Sequence, residues 1–122
     1  MKRILTVDEE PHITTPIKLT LNKEEFSVDS AHSVREALKL LEKNKYDCIL
    51  SEIIMQGIDG YEFCACVRGN PKTKKIPFIF LTIKTKATDR LDAIDMGADD
   101  YIQKPFDPLE LERRIRLNIC GE

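Results

Sequence analysis

Short apolar runs alternate with amphipathic segments from one end of this chain to the other. Residues 3–7, 46–51, 77–82 and 100–103 read as strands, and Phe26 and Val28 alternate with Ser27 and Asp29 as an edge strand would. The stretches between them carry helix signals. Val34, Ala37, Leu38 and Leu41 repeat at helical spacing behind the capping box Ser33-Val34-Arg35-Glu36. A shorter helix over 61–68 follows the turn Asp59-Gly60, and another over 87–96 stops at Gly97, a residue suited to a left-handed cap. The last helix opens with Asp107 as N-cap, Pro108 at the first position and Glu110 at the third, and carries Leu111, Ile115 and Ile119 on one face. Such alternation favours helices packed on a parallel sheet. The first helix is ambiguous. Pro11 is a natural starter, but Pro16 would then sit in the interior at a cost of about 3 kcal/mol. The alternative is a late start, with Thr15 as cap and Pro16 at the first position.

Each strand that reads as buried ends in a polar residue, and together these end residues make one chemical set. Ile4–Val7 runs into Asp8 and Glu9, Cys48–Leu50 into Ser51 and Glu52, Phe78–Leu81 into Thr82, and Tyr101–Ile102 into Gln103 and Lys104. In a parallel sheet these ends share one edge, where ligands of open α/β sheets bind. Three carboxylates, a hydroxyl and an ammonium would meet there, a set suited to a divalent metal and a phosphoryl group. Lys104 would offset the repulsion among the carboxylates. His12 falls near enough to line the rim.

With 122 residues, residues 1–122 are expected to form one domain. A formal charge of −2 gives no push towards nucleic acid or anionic membrane. No apolar stretch approaches the ~20 residues of a membrane span, and the N-terminus has no signal-peptide pattern, so the cytoplasm is the default. Cys48, Cys64, Cys66 and Cys120 have no metal-site spacing and read as core filling. The charge run at 72–75 reads as a solvated loop. No Gly-x-Gly-x-x-Gly follows the first strand and no phosphate-binding loop is present, which counts against a nucleotide or cofactor enzyme.

Five ordered segments carry a further resemblance. They are Ile-Leu-Thr-Val-Asp-Glu-Glu at 4–10, Tyr-Asp-Cys-Ile-Leu-Ser-Glu at 46–52, Met-Gln-Gly-Ile-Asp-Gly-Tyr-Glu-Phe at 55–63, Pro-Phe-Ile-Phe-Leu-Thr at 77–82, and Gly-Ala-Asp-Asp-Tyr-Ile-Gln-Lys-Pro-Phe at 97–106. In these the chain resembles the CheY-like receiver domains of two-component response regulators. The resemblance implies a flavodoxin-like, doubly wound α/β fold with a five-stranded parallel sheet in the order 2-1-3-4-5 and five helices. It implies Mg²⁺ held by Asp8, Glu9, the acidic residue at 52 and the Ile54 carbonyl, with Thr82 and Lys104 on the phosphoryl oxygens. It also implies a cis peptide between Lys104 and Pro105, and a switch through Thr82 and Tyr101. Such a domain is a signalling module whose catalysis goes no further than its own phosphorylation.

Three positions depart from the family. Its phosphoacceptor is aspartate, and Glu52 stands in that place, one carbon longer and so about 1.5 Å further out; this would weaken Mg²⁺ binding too. Ile83 replaces a small residue that leaves an opening for phosphodonors, and Gln56 replaces a frequent proline. The expectation is an atypical receiver working through protein contacts; the alternative is a Mg²⁺-dependent phosphoacceptor served by a histidine kinase. Implied partners are a histidine kinase or another signalling protein, and a homodimer through the last two helices and the strand between them, with neither nucleic acid nor membrane as a partner. Asp92, Tyr101, Arg113 and Arg116 are the exposed residues expected on that surface, and Glu9, Glu10 and Lys84 are expected to border the pocket.

Overall fold

A computed structural model of the chain describes residues 1–21, 25–83 and 87–120, apart from the side chains of 87 and 88. Lys84 lies outside the described residues. Ten elements alternate: β1 (Lys2–Val7), α1 (Pro11–Leu21), β2 (Phe26–Ala31), α2 (Val34–Lys43), β3 (Cys48–Ser51), α3 (Gly60–Gly69), β4 (Phe78–Thr82), α4 (Ala87–Asp95), β5 (Asp100–Gln103) and α5 (Pro108–Cys120). The five strands are parallel and ordered β2-β1-β3-β4-β5, as expected. No helix among the described residues is long and apolar enough to cross a membrane.

Alternation along the strands divides the core between the two faces of the sheet. Leu5, Val7, Ile49, Phe78, Phe80 and Tyr101 pack towards α2 and α3 with Phe63, Cys64 and Val67. Ile4, Cys48, Leu50, Ile79, Leu81 and Ile102 pack on the other side with Ile17, Leu21, Leu111 and Ile115. Edge-to-face contacts link Phe63 to Phe78 and Phe78 to Phe80, with centroids 5.4 and 5.0 Å apart.

Caps form at Ser33 and Asp107 as expected, and Asp59, read from the sequence as part of a turn, caps α3 as well. The Ser33 hydroxyl accepts the Glu36 N–H at 3.1 Å, Asp59 accepts the Glu62 N–H at 2.9 Å, and Asp107 accepts the Leu109 N–H at 2.9 Å. Glu36 reaches back to the His32 N–H, one residue before the cap. The late-start alternative for the first helix does not hold: α1 begins at Pro11 and contains Pro16. Pro16 faces solvent, so water can serve the backbone acceptor its missing N–H leaves one turn back. Two of the four cysteines correct the core-filling expectation. Cys48 and Cys64 are buried, whereas Cys66 and Cys120 are exposed. Residues two apart on a helix point in different directions, which sends Cys66 outward when Cys64 faces the sheet. In the 72–75 run the lysines are exposed as expected, but Thr73 is a buried peg whose hydroxyl donates to the Val67 carbonyl at 2.8 Å.

Candidate functional site

Strand register decides which side chains meet. Val7 of β1 lies opposite Ser51 of β3, Ser51 opposite Phe80 of β4, and Thr82 opposite Gln103 of β5. Asp8, Glu52 and Lys104 are each the next residue after their strand. The Glu52 N–H continues the ladder to the Val7 carbonyl at 2.9 Å, and the Lys104 N–H to the Thr82 carbonyl at 2.8 Å. The chain therefore delivers these residues to one edge by backbone pairing alone. The Lys104–Pro105 peptide bond is cis.

Lys104 is the centre of the cluster. Its Nζ donates to Asp8 Oδ2 at 2.6 Å and to Glu52 Oε1 at 3.0 Å. Asp8 and Glu52 are 4% and 5% exposed, and Thr82 is fully buried. The remaining carboxylate oxygens also have donors. Asp8 Oδ1 accepts the Glu10 N–H at 3.0 Å, and Glu52 Oε2 accepts the Ile53 N–H at 2.6 Å. Charge-assisted bonds of this length are strong, and burial makes them costly to break without a replacement. Glu9 does not join the cluster. It is exposed, and its carboxylate accepts the Gln56 N–H at 3.0 Å, tying the loop after β1 to the loop after β3.

The loop carrying Glu52 has a second constraint. The Gly60 N–H donates to the Ile53 carbonyl at 2.8 Å. A Cβ at position 60 would lie 2.7 Å from Ile53 Cα and still closer to the Glu52 carbonyl oxygen. Only glycine lets the start of α3 sit this close to the backbone at 52–53. Ile54 and Ile83 flank this edge with side chains turned outward, Ile83 being 60% exposed.

The surface expected from the sequence needs two corrections. Tyr101 is not exposed: its ring is buried against the sheet, with the residue 3% accessible. Burial, followed by the charge of Asp89, pushes its phenol up to about 12. Arg116 is exposed but faces the other flank, where it pairs with Glu25 and covers the Phe26 ring. Asp92 and Arg113 are exposed as expected, Arg113 pairing with Glu110 at 2.7 Å. His12 is exposed at the start of α1, 3.4 Å from Glu10.

Asp8 and Glu52 bring hard carboxylate oxygens to this edge, the donor type that Mg²⁺ takes, so their chemistry fits that ion. Among the described residues, no three His, Cys, Asp or Glu side chains are grouped closely enough to hold a metal. Lys104 stands between Asp8 and Glu52, and the carboxylate of Glu9 is turned to the neighbouring loop.

The family model for the response regulator receiver domain matches residues 4–116. This chain is a response regulator receiver domain. Transcriptional regulatory protein YvrH of Bacillus subtilis is 40% identical over 117 residues, covering 95% of this chain and 48% of its own length. Response regulator ArlR of Staphylococcus saprophyticus is 39% identical over 116 residues, covering 95% and 51%. The receiver thus spans about half the length of the curated relatives it matches. Among solved structures, chemotaxis protein CheY4 of Vibrio cholerae superposes with a TM-score of 0.91 at 30% identity, covering 97% of this chain and 98% of that one. The signal receiver domain of a histidine kinase from Syntrophus aciditrophicus gives 0.90 at 30% identity, covering 99% and 92%. The fold is therefore the CheY-like variant of the flavodoxin architecture, and the receiver belongs to two-component signal transduction, as a signalling module rather than a classical enzyme.

Sequence reasoning missed one contact of the receiver. Arg90 of α4 lies over the Tyr101 ring with its guanidinium carbon 5.6 Å from the centroid. An arginine on an amphipathic helix carries no local signal of which aromatic it will cover.

Proposed function

We propose that this receiver signals through protein contacts, with Glu52 standing where the family carries its phosphoacceptor aspartate. The observation that supports this most is the Lys104 bridge, 2.6 Å to Asp8 and 3.0 Å to Glu52, closed by the Ile53 N–H on the second Glu52 oxygen. Attack on a phosphodonor needs a carboxylate oxygen free to meet phosphorus in line. Both Glu52 oxygens already hold donors inside the chain, which orients the carboxylate towards Lys104 and the Ile53 N–H and withdraws charge from it. The longer side chain adds a positioning penalty, since misplacement by about 1 Å can cost a hundredfold in rate. Ile83 beside Thr82 narrows the approach further.

In the same reading Glu52 is a standing surrogate for the phosphorylated residue. It gives Lys104 an anionic partner without phosphate, while Thr82 and Tyr101 are the hydroxyl and aromatic that answer to the state of the pocket. The buried Tyr101 ring is in keeping with a pocket already engaged. If loaded with Mg²⁺, the pocket would hold it through Asp8, Glu9, Glu52 and the Ile54 carbonyl, and the ion would neutralise phosphoryl charge. The partner is a histidine kinase or another signalling protein of the cytoplasm, or a second copy docking through α4, β5 and α5. The names of the longer relatives support transcription as the output.

Intact mass after incubation with Mg²⁺ and acetyl phosphate tests the reading. The expected result is no adduct on the wild type and a phosphoryl adduct on Glu52→Asp. A phosphoryl adduct on the wild type that disappears in Glu52→Gln would establish the alternative, a working phosphoacceptor.

A further inference from the structure

Tyr101 sits on β5, the last strand of the sheet, so one side of its backbone has no neighbouring strand. An edge carbonyl left without a partner is a liability that proteins cover with other groups. Two arginines from two different helices cover this one. Arg90 Nη2 of α4 donates to the Tyr101 carbonyl at 3.1 Å, and Arg114 Nη2 of α5 donates to it at 3.3 Å. Of these two arginines, Arg90 also lies over the side chain, with its guanidinium above the ring. One arginine thus holds both the backbone and the aromatic ring of the same residue.

The rest of α4 makes that grip consequential. Among its described side chains, Ala93 is the one that is fully buried, while Leu91 and Ile94 are 60% and 53% exposed. The carboxyl end of the helix is tied to α3: Arg68 Nε donates to the Gly97 carbonyl at 2.9 Å, and Cys64 Sγ lies 3.4 Å from the Met96 carbonyl. Nearer the amino end, Arg90 reaches β5.

We propose that Arg90 is a positioning residue that clamps Tyr101 in its buried rotamer and closes α4 over β5. That Tyr101 answers to the pocket rests on the function proposed above; the clamp itself does not. It provides the inward position of the ring from outside the pocket, through a cation that Lys104 and Glu52 do not touch.

The test replaces the three tyrosines by 3-fluorotyrosine and follows their ¹⁹F resonances without phosphodonor, Tyr101→Phe assigning the line of interest. Arg90→Ala keeps or raises helix propensity, so α4 loses the clamp and not its backbone preference. The expected result is a Tyr101 line displaced towards free fluorotyrosine with a larger solvent isotope shift, reflecting a roughly fivefold or greater gain in the exposed population. The Tyr46 line should stay in place and so report an intact fold. Arg90→Lys keeps a cation able to lie over the ring and should restore most of the displacement. A Tyr101 line at its wild-type position in Arg90→Ala overturns the clamp, as does an Arg90→Lys line no different from Arg90→Ala. Failure of the pocket reading is distinct: it shows as a phosphoryl adduct on the wild type, whatever the Tyr101 line does.

Discussion

Two helices flank β5, and they hold it by different means. Helix α5 buries Leu111 and Ile115 completely and clasps the strand with Arg114, whose Nε donates to Asp100 at 2.8 Å, while Asn118 adds a bond to the same carboxylate at 3.0 Å. Helix α4 turns Leu91 and Ile94 outward, buries Ala93, and reaches the strand through Arg90. Buried apolar area resists displacement over the whole contact, whereas one guanidinium can be released in a single event. A wall and a more lightly held flap therefore share one strand. The strand between them carries Tyr101, and Lys104 follows directly after it.

Substitutions graded along this contrast test it. Leu111→Ala should give the largest loss, about 2–5 kcal/mol in unfolding free energy, read from urea denaturation. Asp100→Asn should cost about 1–3 kcal/mol at neutral pH by breaking the carboxylate's bonds to Arg114 and Asn118. Burial alone would raise the Asp100 carboxyl, but bonds from Arg114, the Tyr101 N–H and Asn118 outweigh it and hold it below the ordinary range. The sign follows from that lowering. The Asp100 contribution is complete above the ordinary carboxylate value of about 3.9 and fades as pH falls through the lower folded value. The gap between wild type and Asp100→Asn should therefore be constant from about pH 7 to 5 and close on further acidification. Leu91→Ala and Ile94→Ala should each stay within about 0.5 kcal/mol. A cost near that of Leu111→Ala, growing with protein concentration, would mean that the outer face of α4 is covered by a second copy and that the flap is pinned in the assembly.

Where the sequence was legible, one element sufficed to settle the outcome. The β5 boundaries, the caps at Ser33 and Asp107, and the chemistry at the strand ends all follow from local pattern, because apolar periodicity and capping residues act within a few positions. Pro16 was ambiguous because its cost depends on whether its side of α1 faces water, which only packing decides. Tyr101 was misjudged for a related reason. Alternation alone places it on one face of β5, but its burial depends on what α4 lays over that face. Arg116 was misplaced because α5 presents successive arginines to different neighbours, Arg114 to Asp100 and Arg116 to Glu25. Glu9 follows Asp8 in sequence, yet the two carboxylates part: one meets Lys104 and the other a backbone N–H 47 positions away.

The seat of α3 on the Glu52 loop has one more consequence. Gly60 rests on main chain, that of Glu52 and Ile53, and the ladder from Glu52 to Val7 is main chain as well. The scaffold under the acidic group is thus indifferent to which side chain it carries. A lineage could exchange one carboxylate for another at this position without remaking the domain around it, and the chemistry of the pocket can be rewritten faster than its architecture.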